Sequence, residues 1–338
     1  MDMQQRMRLI QHSLRLIAYI DEVVSRSKKI DVRDSILVAG SPRSGTTWLM
    51  EILKNIPGYT YLFEPLHAGW FPDSRKAGFR SRTYLSPEMN WPEGEDYLRR
   101  VFTGDVVSLL PPYEFKPRDI MNRLLNNKLV VKSVRLNRLL PWFVKRFQLR
   151  SIVFIIRHPC AVVVSQLKTG FCGYQTVYPP YADTFPTVDV VLDEASKIES
   201  VDHSLLSRLK KIKTREEVLA AVWCLDNYIP LSLPKPYPWV TVFYERLTRD
   251  GEAEVARIFR GIGEKEIPES ISKVLRKPSI LTLRDERRVV RNKEDQLSKW
   301  RKVLSKKEIE RILRIVSDFG LGFYTEDVEP NYNWIDVW

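Results

Sequence analysis

The sequence predicts an α/β fold with a central, mostly parallel sheet and helices on both of its faces. Two observations carry this prediction. Continuous apolar runs at 36–39 and 151–156 have the length and composition of strands that are buried on both faces, as in parallel sheets. Segments with apolar residues at helical spacing separate such runs, and this alternation of strand and helix folds into a parallel sheet.

A tight polar turn at 40–45 joins the first predicted strand to the helix that follows it. The start of a helix leaves backbone N–H groups free, and these bind anions. Gly40 and Gly45 keep the interval of the nucleotide P-loop, but Thr46 stands where that motif has lysine, and the positive charge is Arg43 within the turn. The turn therefore predicts a phosphate site built from N–H groups, the Thr46 and Thr47 hydroxyls and one guanidinium.

The remaining elements follow from the same periodicities. We expect strands over 59–63, 129–131 and 239–243, and helices over 46–53, 139–147, from 159 onward, 215–231, 252–262 and 305–319. The last helix begins with the capping box Ser305 and Glu308 and ends before Gly320. The stretches 66–119 and 170–214 have little periodicity, so we expect loops there, with short helices in the first stretch, beside the active face.

The carboxyl ends of the predicted strands carry mostly basic residues. Glu64 follows the second strand, Lys132 closes the third and Arg157 follows the fourth. Ligands of open α/β sheets bind at these ends. A magnesium-dependent P-loop enzyme is expected to place a metal-binding aspartate there, and none of these strands ends in one. The pattern predicts a metal-free site that holds more than one phosphate.

Composition limits the class of partner without choosing one. The chain has 338 residues and a formal net charge of +12, which favours phosphorylated cofactors, anionic glycans, nucleic acid or a membrane surface. The basic residues are spread along the chain, so charge alone does not select among these. Cys160, Cys172 and Cys224 form no C-x-x-C motif, and we expect buried thiols in place of a disulfide scaffold.

The first 34 residues predict an amphipathic basic helix, because apolar residues recur there at helical spacing, from Leu9 to Val24. Two placements are open: packing on the domain, which we expect, and peripheral contact with a membrane. Residues 35–338 are expected to form one domain with acceptor-side loop insertions at 66–119 and 170–214. We find no apolar run of transmembrane length and no secretory signal, and expect a cytoplasmic protein.

Two motifs give a specific resemblance. The segment GSPRSGTTWL begins at Gly40, and IIRHPCAVVVSQL carries Arg157 at a strand end and Ser165 eight residues later. Together they resemble the sulfotransferases that use 3′-phosphoadenosine 5′-phosphosulfate (PAPS). Arg43, where cytosolic members usually have lysine, makes the chain most similar to carbohydrate-directed and bacterial-type members. Weaker matches are FYERL at 243–247, with Arg246 in place of an acid, KPSILT at 277–282, and Arg291 and Asn292 followed by Trp300.

The resemblance implies a donor site with two ends. The 5′-phosphosulfate would be held by the family's P-loop-like loop, and the 3′-phosphate by a second group. The implied donor-binding residues are Arg43, Ser44, Gly45, Thr46 and Thr47 for the first end, Arg157 and Ser165 for the second, and Ser279 and Arg291 elsewhere on the nucleotide. In the family, the serine that corresponds to Ser44 is thought to restrain the neighbouring cation until the acceptor binds.

The resemblance also implies the reaction. A sulfuryl group would pass from PAPS to a hydroxyl or amine of a small-molecule or glycan acceptor, without a metal, and adenosine 3′,5′-bisphosphate would be released. We expect Glu64 in LFEPLH to be the base, Arg43 to stabilise the leaving phosphate, and Lys132 to orient the sulfuryl group or the acceptor.

Some assignments have alternatives. Glu64 and Lys132 could instead be solvated side chains at strand ends, and His67 and His158 are the other candidate bases. Trp48 is expected to pack in the core, and the aromatic residues Trp70, Trp91 and Tyr174 are candidates for stacking on an acceptor. No nucleic-acid partner is expected, and the sequence does not indicate an oligomeric state.

Two rival functions remain for the chain as a whole. One is a P-loop nucleotide or small-molecule kinase, which needs the P-loop lysine and a metal-binding aspartate that this sequence does not offer at the expected places. The other is a non-catalytic protein that binds anionic glycans or nucleotides through charge alone. Metal-free binding of adenosine 3′,5′-bisphosphate would oppose the first, and sulfation of any acceptor would oppose the second.

Overall fold

Five parallel strands form one sheet in a computed structural model that describes residues 23, 30–106, 117–169, 185–277 and 293–334. The strands are β1 Ser35–Ala39, β2 Tyr59–Phe63, β3 Lys128–Lys132, β4 Ser151–Ile156 and β5 Val240–Phe243. Their order in the sheet is β2-β3-β1-β4-β5. The predicted α/β class with a parallel sheet is therefore confirmed, and each predicted strand is found within one residue of its expected bounds.

Helices flank this sheet. Those of the described residues are α1 Thr46–Leu53, α2 Pro72–Lys76, α3 Pro92–Phe102, α4 Pro117–Leu125, α5 Leu140–Val144, α6 Pro159–Thr169, α7 Val188–Ser196, α8 His203–Leu209, α9 Arg215–Leu231, α10 Tyr244–Arg249, α11 Gly251–Gly261, α12 Ser270–Leu275, α13 Lys293–Ser298 and α14 Lys306–Asp318. The capping box of α14 is present: the Glu308 N–H donates to the Ser305 hydroxyl, and the Ser305 N–H donates to the Glu308 carboxylate.

The central strand β1 decides where a site can form. It is buried along its whole length and lies between β3 and β4, so the chain leaves it in one direction and later returns on its other side. Such a reversal of strand order opens a crevice at the carboxyl ends of the strands. In register, Val38 of β1 pairs with Lys132 of β3, and Lys132 pairs with Phe63 of β2. Residues that follow these three strands therefore lie side by side.

Two expectations about connecting segments need correction. The stretch 170–214 is not loop throughout, because α7 and α8 form from 188 to 209. The stretch 66–119 contains helices, as expected, and these are α2, α3 and the start of α4. The helix expected over 139–147 is a 3-10 turn followed by α5, which ends at Val144.

The N-terminal helix predicted within residues 1–34 lies almost entirely outside the described residues. The described chain resumes at Ile30, whose N–H donates to the Thr103 carbonyl at 3.3 Å, and a 3-10 turn at Val32–Asp34 leads into β1. None of the described helices is both long enough and apolar enough to cross a membrane.

A buried carboxylate fastens the C-terminal segment to the sheet. Glu245 of α10 accepts hydrogen bonds from the His158 N–H and the Tyr324 hydroxyl, both at 2.8 Å. His158 in turn contacts the Thr325 carbonyl through Nε2 at 3.0 Å and stacks on Trp300. Burial raises the pKa of Glu245 to about 7, although these hydrogen bonds favour its ionised form.

This pKa predicts a specific dependence of stability on pH. Because the pKa of folded Glu245 is raised from 4.5 to about 7, the folded chain keeps a proton that the unfolded chain has released. The associated stability is complete below pH 4.5 and is lost as the pH rises through about 7. We expect Glu245→Gln to remove a decline in unfolding free energy on the order of 3 kcal/mol between pH 5 and pH 8.

Urea unfolding at several pH values measures this decline. His158, whose pKa burial lowers to about 3, is present in both proteins, so its contribution cancels in the comparison. Glu88→Gln is a matched control, since the Glu88 side chain is 82% exposed. The interpretation is wrong if wild type and Glu245→Gln lose stability equally over this range.

Candidate active site

The 40–45 turn depends on its two glycines. Gly40 and Gly45 have φ angles of 153° and 98°, in the region that favours glycine. A Cβ atom on Gly40 would clash with the carbonyl oxygen of Ile155, and one on Gly45 would lie 2.5 Å from the Tyr244 ring. The backbone of the turn therefore packs directly on the end of β4 and on the first residue of α10, with no room for a side chain at either glycine.

Four successive residues of the turn are each held by a side chain from a different part of the fold. The bonds are Gly40 N–H to Asn137 Oδ1 at 2.8 Å, Asn227 Nδ2 to Ser41 Oγ at 3.1 Å, Gln166 Nε2 to the Pro42 carbonyl at 3.1 Å and Arg157 Nη1 to the Arg43 carbonyl at 3.1 Å. The donors and acceptors come from the 3-10 turn before α5, from α9, from α6 and from the end of β4. The shape of the turn is thus set by the tertiary structure around it.

The predicted pair Arg157 and Ser165 converges on this turn. Arg157 lies over the Tyr244 ring, with its guanidinium carbon 4.2 Å from the ring centroid, and bonds the Arg43 carbonyl. Ser165 accepts a hydrogen bond from Arg43 Nε at 3.0 Å. Ser165, 122 residues away in sequence, therefore contacts the Arg43 side chain. The Ser44 hydroxyl, expected in that role, is buried and has no hydrogen-bond partner among the described residues.

Glu64 lies between two cations at the ends of β2 and β3. Its Oε1 accepts from Lys132 Nζ at 2.5 Å and from the Val134 N–H at 3.1 Å, and its Oε2 accepts from Arg135 Nη1 at 2.9 Å. Glu64 is 1% exposed and Lys132 is 4% exposed, so neither is the solvated side chain of the alternative interpretation. Burial alone would raise the pKa of Glu64, but the two cations and the hydrogen bonds outweigh it and lower the pKa.

These groups line one cleft of about 1110 Å³ at the carboxyl end of the sheet. A pocket for one drug-sized ligand usually measures about 300–1,000 Å³, so the volume of this cleft lies just above that range. Basic residues outnumber acidic residues in its described lining. They are Arg43, Lys132, Arg135, Arg157, Lys168, Arg249, Arg276, Lys277, Lys293 and Lys299, against the acids Glu64, Asp250 and Glu252.

Two residues that line the cleft have a strained backbone conformation. Among the described residues, Arg43 and Glu64 are the non-glycine residues with positive φ, at 73° and 50°. Glu64 also precedes Pro65, and a following proline restricts the backbone further. Such conformations cost about 1–3 kcal/mol each and persist where the surrounding structure enforces them, often at functional sites. Backbone strain is independent of charge, and it also indicates that Arg43 and Glu64 belong to a functional site.

The other predicted site residues fall into three groups. Gly45, Thr46 and Thr47 line the cleft at the start of α1, together with Trp48, which packs edge-on against Tyr244. His67 is buried and stacks on Trp70, while Trp91 packs on Phe79. None of the residues His67, His158, Trp70 and Trp91 is part of the described cleft lining. Ser279, Arg291 and Tyr174 lie outside the described residues.

Sequence reasoning missed three residues that shape the site: Tyr244, Trp223 and Asn227. Tyr244 contacts the turn, Trp48 and Arg157, and its hydroxyl accepts from Gln296 Nε2 at 2.6 Å. Its position directly after β5 was the available signal, because that end joins the same edge as the other strand ends. Trp223 and Asn227 are interior residues of α9, and nothing in the sequence separates them from ordinary core.

Comparison with known proteins gives a family match. Residues 33–313 match the family model described as the sulfotransferase domain. A search of curated proteins found no match. Among solved structures, the sulfotransferase domain from the curacin biosynthetic pathway is similar, with 14% identity over 87% of this chain and 98% of that one and a TM-score of 0.45. The sulfotransferase domain from the Synechococcus PCC 7002 olefin synthase gives 18% identity, 87% and 96% coverage and a TM-score of 0.44.

The strained backbone at Arg43 predicts unequal effects of two substitutions. Arg43→Gly and Arg43→Ala both remove the guanidinium, but only glycine relieves the positive φ. We expect the glycine variant to be more stable than the alanine variant by about 1 kcal/mol, measured by urea unfolding. An alanine variant as stable as the glycine variant would contradict a strained conformation at this position.

Proposed function

Because the chain belongs to the sulfotransferase domain family, we propose that it transfers a sulfuryl group from PAPS to a hydroxyl or amine of an acceptor. The observation that carries the proposal is the pair of linked anion-binding groups in one basic cleft: Arg43 on the 40–45 turn, and Arg157 with Ser165 beside it. A donor with a 5′-phosphosulfate and a 3′-phosphate has matching negative charge at two separated points.

The residues at the turn fit such a donor. Gly45, the residue before α1, has no side chain to cap the N–H groups of that helix, and it lines the cleft with Thr46 and Thr47, so an anion is favoured there. The Ser44 hydroxyl is buried without a partner in the same turn. We propose that Gly45, Thr46 and Thr47 bind the 5′-phosphate with Ser44, and that Arg157 and Ser165 bind the 3′-phosphate. Ser279 and Arg291, known only from the resemblance, stay proposed nucleotide contacts.

The proposed reaction divides its steps among three side chains. The acceptor oxygen attacks sulfur, the bond between sulfur and the 5′-phosphate oxygen breaks with its electron pair going to that oxygen, and the acceptor proton passes to Glu64. Arg43 stabilises the negative charge that develops on the phosphate oxygen. Lys132 orients the sulfuryl group or the acceptor from its position against Glu64. Adenosine 3′,5′-bisphosphate and the sulfated acceptor are the products.

Glu64 is ionised at neutral pH, which a base requires, but its lowered pKa makes it a weak one. The two cations that lower this pKa are therefore also a constraint on the chemistry. An acceptor hydroxyl that reaches Glu64 must replace or share one of the bonds from Lys132, Val134 or Arg135. Displacement of Lys132 toward the sulfuryl group would raise the proton affinity of Glu64 as the acceptor arrives.

For the acceptor we propose a saccharide or another small hydroxylated molecule. The support is the Glu64-Pro65 segment, which resembles that of carbohydrate-directed and bacterial-type members, and its position in a cleft whose volume lies just above the usual range for one ligand. A screen of sugars, phenols and amines with sulfur-labelled PAPS tests the proposal directly. Labelled product with any of them supports sulfuryl transfer, and no product across all of them favours a non-catalytic anion-binding protein.

The base assignment makes a separate prediction once an acceptor is known. Glu64→Gln keeps an oxygen for Lys132 but accepts no proton, so we expect turnover to fall about 100-fold or more. Affinity for adenosine 3′,5′-bisphosphate should change little. Glu88→Gln is the matched control at an exposed site. Unchanged turnover in Glu64→Gln would remove Glu64 from this role.

The 3′-phosphate assignment predicts a loss of binding. Arg157→Ala removes a charge-assisted contact, so we expect affinity for adenosine 3′,5′-bisphosphate to weaken by about 1.5–3 kcal/mol in calorimetric titration. Arg150→Ala is a matched control, because Arg150 directly precedes the same strand β4 at its opposite end, where it pairs with Glu264. Equal affinities of wild type and Arg157→Ala would refute the assignment.

A further inference from the structure

Two buried side chains of α9 hold the two anion-binding ends of the cleft from behind. Trp223 Nε1 donates to the Arg157 carbonyl at 3.1 Å. Asn227 Nδ2 donates to Ser41 Oγ at 3.1 Å and to the Trp223 carbonyl at 2.7 Å. Trp223 and Asn227 are four residues apart, so they lie one above the other on one face of the helix. They are 1% and 0% exposed.

The groups that they hold belong to neighbouring strands. Ser41 lies two residues after β1, and Arg157 directly follows β4, which pairs with β1 in parallel. Arg157 also bonds the Arg43 carbonyl, so the segments that carry the two ends are joined directly as well as through α9. Neither Trp223 nor Asn227 is part of the described cleft lining. Any effect of these two side chains on a ligand must therefore pass through the groups that they bond, Arg157 and Ser41.

The same turn of α9 reaches the first residue of the 40–45 turn by a second route. Asp226 Oδ1 accepts from Arg138 Nε at 2.7 Å. Asn137, the residue before Arg138, accepts from the Gly40 N–H. Removal of one partner of a buried ion pair is strongly destabilising, so Asp226 and Arg138 are poor positions for a functional test. The hydrogen bonds of Trp223 and Asn227 join uncharged groups, so their removal costs less stability than the removal of one partner of this ion pair.

We propose that Trp223 and Asn227 are positioning residues that fix the spacing between the 3′-phosphate group and the phosphosulfate turn. The inference rests on the proposed function, because it concerns the two ends of that donor. A ligand that binds both ends gains from the second contact only if the two sites are held at the matching distance. Small misplacements of such groups weaken binding and catalysis strongly.

This role predicts an effect that depends on the number of phosphates in the ligand. The ligands are adenosine 3′,5′-bisphosphate, adenosine 5′-monophosphate and adenosine 3′-monophosphate. The advantage of the bisphosphate over each monophosphate is expected to fall about 3- to 10-fold in Trp223→Phe and in Asn227→Ala, as for one lost hydrogen bond. The affinities of the monophosphates should change less than about 2-fold, because a ligand that uses one end does not need the spacing.

Two further variants sharpen the test. Tyr228→Phe is the matched control, because it removes a hydrogen bond of 3.0 Å from the same helix to the Ser200 carbonyl, and the bisphosphate advantage should persist. Ser41→Ala removes the bond of Asn227 from the other side. Ser41→Ala and Asn227→Ala should therefore be non-additive in a double-mutant cycle on bisphosphate affinity.

The outcomes separate this inference from the proposed function. A selective loss of the bisphosphate advantage supports positioning. Equal losses for all three ligands, with a lower melting temperature, would show a role in stability alone and would overturn the inference. A wild-type protein that binds the bisphosphate no better than the monophosphates would instead contradict the proposed donor.

Discussion

The hydrogen bond from the Arg157 guanidinium to the Arg43 carbonyl joins the two groups that we propose to bind the phosphates of the donor. It forms because β1 and β4 are parallel neighbours, so that the turn after one strand lies beside the residue after the other. The bond also helps to hold Arg43 in its strained conformation. The rest of the site is arranged around this contact: Tyr244 lies under Arg157, Ser165 bonds the Arg43 side chain, and α9 holds both segments.

The excess of basic side chains in the cleft affects both stability and ligand binding. Basic side chains surround a space with few acids, so the cleft is unfavourable for the protein alone and favourable for a polyanionic ligand. Glu64 is the exception, and it is buried against Lys132 and Arg135. A carboxylate that stays ionised in such a place depends on both partners. Arg43 and Glu64 also have positive φ angles, which strain the backbone. The conformations of these two residues in the site therefore lower the stability of the fold.

The sequence predicted those parts of the fold that local pattern determines. Strand bounds followed from apolar runs, and the start of α14 followed from its capping box. The helix α7 was missed because it carries the acids Asp189, Asp193 and Glu194 and closely follows Pro186, and α8 was missed because it has only 7 residues. The helix expected to start at 139 instead begins at Leu140, with Pro141 in its first turn, and is shorter than its apolar run.

The site was predictable where its residues follow strands, and not where they depend on distant contacts. The sequence placed Arg43, Glu64, Lys132 and Arg157 at one edge because each is at or after the carboxyl end of a predicted strand, and all four line the cleft. The partner of Arg43 was expected in the adjacent Ser44, but a hydroxyl 122 residues away bonds it, which no local pattern reveals. Trp223 and Asn227 lie in the buried part of α9, and the partners of their side chains depend on what the fold places against them.

Calorimetric titration of the wild-type protein with adenosine 3′,5′-bisphosphate in the presence of a chelator, beside titration with ATP and Mg²⁺, tests the central claim most directly. A cleft built from Arg43, Arg157 and Ser165 to hold two separated anions predicts tight, chelator-insensitive binding of the bisphosphate and weaker binding of ATP. Binding of ATP that requires Mg²⁺, with no affinity for the bisphosphate, would contradict the account and favour a nucleotide kinase.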